Sequence, residues 1–386
     1  MSGPTDRPSG TRGASPRDRL PDFPWDKLEP YKATAAAHTD GIVDLSVGTP
    51  VDPVPELIQK ALIDAADSPG YPTVWGTAEL RDALTGWCGR RLGARGVTHR
   101  NVLPIVGSKE LVAWLPTQLG LGPGSKVAYP RLAYPTYEVG ARLARAEYVT
   151  YDTEALAADP ETAGLDPTDL KLLWLNSPSN PTGRVLSKDE LTRVVAWARG
   201  HGVLVASDEC YLELGWEAEP TSVLHPDVCG GSFEGLVAVH SLSKRSNLAG
   251  YRAAFLAGDA DVLGDLLQIR KHGGMMTSAP TQAAVVAALG DDAHVHEQRE
   301  RYAARRTALR DALLGHGFRI EHSEASLYLW ATRDESCWDT VAHLASLGIL
   351  VAPGDFYGPR GHQHVRIALT ATDERVAAAA ARLAKA

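Results

Sequence analysis

What is scarce in this sequence excludes more than what is common. No apolar run is long enough to enter a bilayer. The most apolar stretch, near Leu111–Leu121, carries Pro116 and Gln118 and falls short of a span. Positive charge is in deficit, with 39 Lys and Arg against 47 Asp and Glu and a formal net charge of -8. No basic field is therefore available for nucleic acid or an anionic membrane surface. Cysteine is rare: Cys88, Cys210, Cys229 and Cys337 stand far apart with no Cys-x-x-Cys pair. That spacing supports neither a disulfide framework nor a metal site, and suits reduced thiols in a cytoplasm. The start, Met1 to about Leu20, is rich in Ser, Gly, Pro and Arg and lacks the apolar core of a signal peptide. It is expected to be a disordered tail on a soluble, cytoplasmic protein.

What is present is an ordinary globular composition, 44% hydrophobic and 22% charged, over 386 residues. That length suits a large domain with a smaller one. Short runs rich in Val and Leu, bounded by Gly, Pro or Ser, predict strands at Val102–Val106, Lys126–Tyr129, Lys171–Leu175, Val203–Ser207, Leu236–His240 and Ala253–Ala257. Helical patterns fill several of the gaps, as at Lys188–Arg199 after the N-cap candidate Ser187. Strands apolar on both faces and separated by helices predict an α/β fold with a mostly parallel sheet. From about Asp292 to Leu314 a long helix rich in Arg and Glu bridges into a smaller α+β domain. The expected organisation is a tail over residues 1–20, an N-terminal segment over 21–60 joining the small domain, a large domain over 61–290 and a small domain over 291–386.

In such sheets ligands bind beyond the carboxyl ends of the strands. Three successive strand ends carry chemistry: Asn176–Gly183, Asp208–Tyr211 and Ser241–Lys244. Lys244, flanked by Ser241 and Ser243 and followed eight residues later by Arg252, suits pyridoxal 5'-phosphate (PLP). The amine would form a Schiff base with the cofactor aldehyde, and the hydroxyls and guanidinium would hold its phosphate. Taken alone, the same residues also describe a surface lysine in a Ser-rich loop. Asn180-Pro181-Thr182-Gly183 is either a turn or an amide set against the cofactor's ring oxygen. Asp208 ends a buried strand, where a carboxylate needs a positive partner such as a protonated pyridine nitrogen, or else caps a helix. Tyr211 could donate to the same ring oxygen as Asn180.

Together, in this order and spacing, these motifs resemble the class I/II family of fold-type I PLP aminotransferases, from about Leu45 to Leu369. The resemblance implies Lys244 as the Schiff-base lysine, Asp208 as pyridinium partner, and Asn180 and Tyr211 as ring-oxygen donors. Ser241, Ser243 and Arg252 would be phosphate ligands, joined by the backbone of Gly107-Ser108-Lys109 where a strand opens into a helix. Tyr134 resembles the aromatic that stacks on the ring. Arg366, in the apolar run Val365–Leu369, needs an anion and matches the arginine that clamps the substrate α-carboxylate. Gly48 matches the glycine whose backbone approaches that carboxylate. Tyr71 resembles the tyrosine that reaches the phosphate of a neighbouring subunit, which implies a homodimer with shared sites. Within the family, Leu20–Asp26, Ile42–Leu57, Gly70–Arg81, Gly107–Leu115 and Tyr134–Ala141 are similar to the actinobacterial N-succinyldiaminopimelate transaminases. Glutamate/2-oxoglutarate and a succinylated diaminopimelate pair are then the expected substrates. Lys109 and Arg131 are candidates to read the distal carboxylate.

Two other classes fit poorly. Ser241-Leu242-Ser243-Lys244 matches the Ser-x-x-Lys of penicillin-binding proteins, but no Lys-Thr-Gly occurs and Ser207-Asp208 lies upstream. A transcription regulator with an aminotransferase-like sensor would need a DNA-binding domain, and only about 40 residues precede the first motif. Other aminotransferases, decarboxylases and β-lyases share the cofactor site and stay open.

Overall fold

The computed structural model describes residues 19–385. Most of the expected tail therefore lies outside the described residues, and its last residue, Leu20, is placed beside the site discussed below. The strands in chain order are β1 (Val43–Asp44), β2 (Val102–Ile105), β3 (Lys126–Pro130), β4 (Glu147–Tyr151), β5 (Leu170–Asn176), β6 (Leu204–Asp208), β7 (Leu236–Ser241), β8 (Ala254–Gly258), β9 (Arg319–Glu321), β10 (Tyr328–Thr332), β11 (Ile349–Leu350), β12 (Ala352–Pro353) and β13 (His364–Ala368).

Seven of them form the central sheet in the order β2-β8-β7-β6-β5-β3-β4. Strands β3 to β7 pair in parallel, and β8 pairs antiparallel to both β7 and β2. Alternation of side chains explains why both faces are apolar. Leu173, Leu175, Val205, Leu236 and Ala238 join one core. Their neighbours Leu172, Trp174, Ala206, Val237 and Val239 join another on the opposite face. The six predicted strands all form, with ends shifted by a residue or so. The seventh, β4, is an edge strand whose residues Glu147 and Tyr148 are exposed, so it carries no buried apolar run for a pattern search to find.

Helix Lys188–Gly200 begins at Ser187, whose hydroxyl accepts from Glu190 N while the Glu190 carboxylate accepts from Ser187 N at 2.7 Å. This reciprocal cap satisfies backbone donors that would otherwise be unpaired. The predicted bridging helix runs Ala293–Gly315, 23 residues. Its inner face, Tyr302, Leu309 and Leu313, packs into a third core with the four-stranded sheet β12-β13-β10-β9. Leu28, Ala35, Val43 and Leu45 of the N-terminal segment belong to that same core, and β1 pairs in parallel with β11. The chain thus returns from its start to its C-terminal third, bringing Ser46–Gly48 under β13. Among the described residues no helix is long and apolar enough to cross a membrane.

Candidate active site

The register of the parallel strands sets the site. Asn176 at the end of β5 is level with Asp208 at the end of β6, which is level with Val239 two residues before the end of β7. The chain then leaves β7 into the short helix Leu242–Arg245, which carries Lys244. Three adjacent strand ends therefore face one cavity of about 880 Å³. Its lining includes Gly48, Ser108, Lys109, Tyr134, Asn180, Asp208, Tyr211, Ser241, Ser243, Lys244, Arg252 and Arg366.

At the floor, Asp208 is buried and, among the described residues, meets no cation. Its Oδ2 accepts from the Tyr137 hydroxyl at 2.9 Å and its Oδ1 from Cys210 N at 3.3 Å. Burial pushes its pKa up, although both hydrogen bonds pull the other way. A cationic ring nitrogen would supply the missing charge. Lys244 points its amine at the Gly48 carbonyl. Burial lowers its pKa, so the neutral, nucleophilic form comes more readily.

Asn176 positions the next loop: its amide donates to Asp208 O at 3.0 Å and its Oδ1 accepts from Asn180 N at 2.7 Å. Asn180 Oδ1 in turn accepts from Arg366 Nη1 at 2.9 Å. An arginine only donates, so this contact fixes which end of the Asn180 amide is oxygen. The amide nitrogen is left to donate elsewhere. Arg366 comes from β13, in the four-stranded sheet, and is 3% exposed. Its remaining contacts are the Ser46 carbonyl at 2.7 Å and the faces of Tyr328 and Tyr357, 4.0 and 4.8 Å from their ring centroids. Among the described residues it has no carboxylate partner, and its Nε has no hydrogen bond. A buried guanidinium so placed is suited to hold an anion.

At the other end of the cavity, Gly107 has φ +93° and opens helix Ser108–Gln118. A side chain at Gly107 would collide with the Arg252 guanidinium, so glycine lets the two close around one space. Ser108, Ser241 and Ser243 border that space. It is a phosphate-sized cradle of hydroxyls, a guanidinium and helix N-terminal amides. The residues present therefore fit PLP at every end: cradle, floor carboxylate, ring-oxygen donors and amine.

Two expectations need qualification. Tyr71 is 98% exposed and is absent from the lining of the cavity in its own chain. Arg131 lines a separate cavity of about 240 Å³ with Asp152 and Arg360. It does not line the cavity that holds Lys244 and Arg366, and residues of the Asn176–Thr182 loop border both spaces. Sequence reasoning also missed residues. Tyr137 lies three residues from Tyr134, just inside the helix Thr136–Ala144, a closeness that could have flagged it. Tyr328 carries no such signal, whereas Phe23 and Trp25, which line the outer cavity, lie in the Leu20–Asp26 stretch of the resemblance but have no role assigned.

A crevice of this composition at the carboxyl edge of a mostly parallel sheet defines a fold-type I PLP enzyme. More narrowly, the chain belongs to the aminotransferases of class I and II, whose family model matches residues 40–383. It is 63% identical over 94% of its length to a probable aminotransferase of Mycobacterium tuberculosis, covering 85% of that protein. It is 60% identical, over 94% of this chain and 99% of the other, to the 4-dedimethylamino-4-oxo-anhydrotetracycline transaminase OxyQ of Streptomyces rimosus. A probable N-succinyldiaminopimelate aminotransferase of Thermus thermophilus superposes with a TM-score of 0.84 at 29% identity, over 94% of this chain and 100% of that one. The protein is a PLP-dependent transaminase acting on amino and 2-oxo acids.

Proposed function

We propose that this transaminase moves an amino group between glutamate and N-succinyl-2-amino-6-oxopimelate, in the direction of diaminopimelate and lysine. The observation that carries the reading is the presence of two cations, Arg366 and Lys109, on the wall of one cavity. Arg366, buried and without an anion, suits the α-carboxylate common to both substrates. Lys109, exposed and without an ion pair among the described residues, stands on the cavity wall as a second cation for a distal carboxylate. The likeness to the Thermus protein points the same way.

Bound PLP supplies an aldehyde that condenses with amines and a ring that draws electron density from the donor's Cα. The protein does the rest. Lys244 would hold the cofactor covalently, and its amine, whose pKa burial lowers, would serve as the base for the proton on the donor's Cα. Asp208 would pair with the ring nitrogen, Asn180 and Tyr211 with the ring oxygen, and Tyr134 would pack on the ring face. Ser241, Ser243, Arg252 and the backbone at Gly107–Lys109 would hold the phosphate. Gly48 leaves room for the carboxylate on Arg366.

A second reading has its own support. The outer cavity is walled by Leu20, Phe23, Trp25, Val47, Ala113 and Val139, more apolar than a dicarboxylate requires. With the 60% identity to OxyQ, this favours a bulky oxo acceptor of low polarity. One panel of acceptors, read as loss of the aminated cofactor's absorbance, decides between them. Fast reaction with the succinylated oxopimelate, and its selective loss in Lys109→Met, is expected. Faster reaction with polycyclic ketones would transfer the assignment to the second reading and leave transamination intact.

A further inference from the structure

Tyr328 belongs to none of the motifs, yet it touches three parts of the site at once. It lies on β10, in the sheet that carries Arg366, and is 4% exposed. Its hydroxyl is 2.9 Å from that of Tyr211, itself 7% exposed. The two rings meet edge to face with centroids 5.5 Å apart. Arg366 lies over the face of Tyr328. A side chain at Gly48 would run into the Tyr328 hydroxyl, so this glycine also keeps that hydroxyl in its place.

A phenol has one proton to donate. Of a hydroxyl pair, only one member can give its proton to the other. If Tyr211 spends its proton on the cofactor's ring oxygen, the contact between the two tyrosines survives only when Tyr328 is the donor. Burial, and then the neighbouring Tyr328, raise the Tyr211 pKa well above the ordinary range, so Tyr211 stays protonated and able to donate. Donors in series polarise one another, so each strengthens the next.

We propose that Tyr328 is a positioning residue that donates to Tyr211 and thereby aims and strengthens the Tyr211 hydrogen bond to the cofactor's ring oxygen. The inference rests on the proposed ring-oxygen role of Tyr211. It gives the small domain a direct hold on the electronic state of a cofactor bound in the large one. It also links that hold to the carboxylate site, because Arg366 and Tyr328 are in contact.

The sign follows from charge. A phenol donating to the ring oxygen stabilises that oxygen as an anion, most of all once the nitrogen linking Lys244 to the cofactor has lost its proton. Tyr211 therefore lowers the pH at which that nitrogen deprotonates, and Tyr328 lowers it further. The experiment is a pH titration of the visible absorbance of the holoenzyme for wild type, Tyr328→Phe, Tyr211→Phe and the double variant. Tyr328→Phe keeps the ring packed and removes only the hydroxyl. It is expected to raise the midpoint by about half to one pH unit, the size of one neutral hydrogen bond. Tyr211→Phe should raise it more, and the double variant should titrate like Tyr211→Phe alone, because Tyr328 acts only through Tyr211. A Tyr328→Phe midpoint equal to wild type, beside a shifted Tyr211→Phe, overturns the relay alone. So does a Tyr328→Phe shift that persists undiminished in the Tyr211→Phe background. An unshifted Tyr211→Phe overturns the ring-oxygen role of Tyr211 and the relay with it.

Discussion

Arg366 and Asp208 are buried charges of the site that have no oppositely charged partner among the described residues. Burying either costs free energy unless a counter-charge arrives. Their use should therefore appear in kinetics more than in stability. Replacing Asp208 with Asn removes the partner of the ring nitrogen while keeping its shape. Turnover is expected to fall by about a hundredfold or more, as for other lost electrostatic partners. Near-normal turnover with PLP bound would remove Asp208 from the mechanism. At Arg366, Lys keeps the charge but loses the planar fork. The Michaelis constants for donor and acceptor should then rise together, since both present an α-carboxylate to the same group. A rise for only one of them would mean that the two substrates are held differently.

At the scale of elements, the N-terminal segment is clamped to helix Ala293–Gly315 by charge, and to β11 by β1. Arg305, buried on helix Ala293–Gly315, donates to both oxygens of Asp52 at 2.6 and 2.7 Å and to Asp373 at 2.6 Å. Gln298 from the same helix adds a bond to Asp52 at 2.7 Å. Burial works against the Asp52 carboxylate, but Arg305 and Gln298 outweigh it and hold its pKa below the usual value. The folded-state pKa is thus depressed. The stability it contributes is complete above the unfolded value of about 4 and is lost as pH falls through the folded one. Asp52→Asn should destabilise the protein by about 2–4 kcal/mol at neutral pH, because a buried guanidinium loses its main partner. Denaturant titrations should show the gap between variant and wild type closing in acid. A gap independent of pH would place the cause in packing. The same scale explains why β4 escaped notice in the sequence. Its neighbours carry buried runs, whereas an edge strand shows water one face and one rim.

For the whole molecule, the conspicuous feature is Tyr71, a large side chain almost wholly exposed in its own chain. A tyrosine that completes a neighbour's site would look like this in isolation. We expect the protein to sediment near twice its 41.3 kDa chain mass. Tyr71→Phe should weaken PLP retention without changing the mass. A fully active monomer would end the idea.

The local sequence determined six strands of the central sheet, the Ser187 cap and the residues that the strand ends bring to one cavity. Residues that close a parallel strand and open the next turn are adjacent in sequence, and their spacing is set by the strand itself. Lys244, Asp208, Asn180 and the Gly107 turn were legible for that reason. Tertiary structure decided what crosses between domains. It set Arg366 on Asn180, Tyr328 on Tyr211 and Asp52 on Arg305, and it put Leu20–Trp25 over the cavity mouth. It also set Arg131 on a separate cavity. None of these follows from periodicity, because each depends on how the small domain and its N-terminal strand dock against the large sheet. That docking is fixed by burial of Leu28, Val43 and Leu45 in the small-domain core, a contact between chain segments some three hundred residues apart.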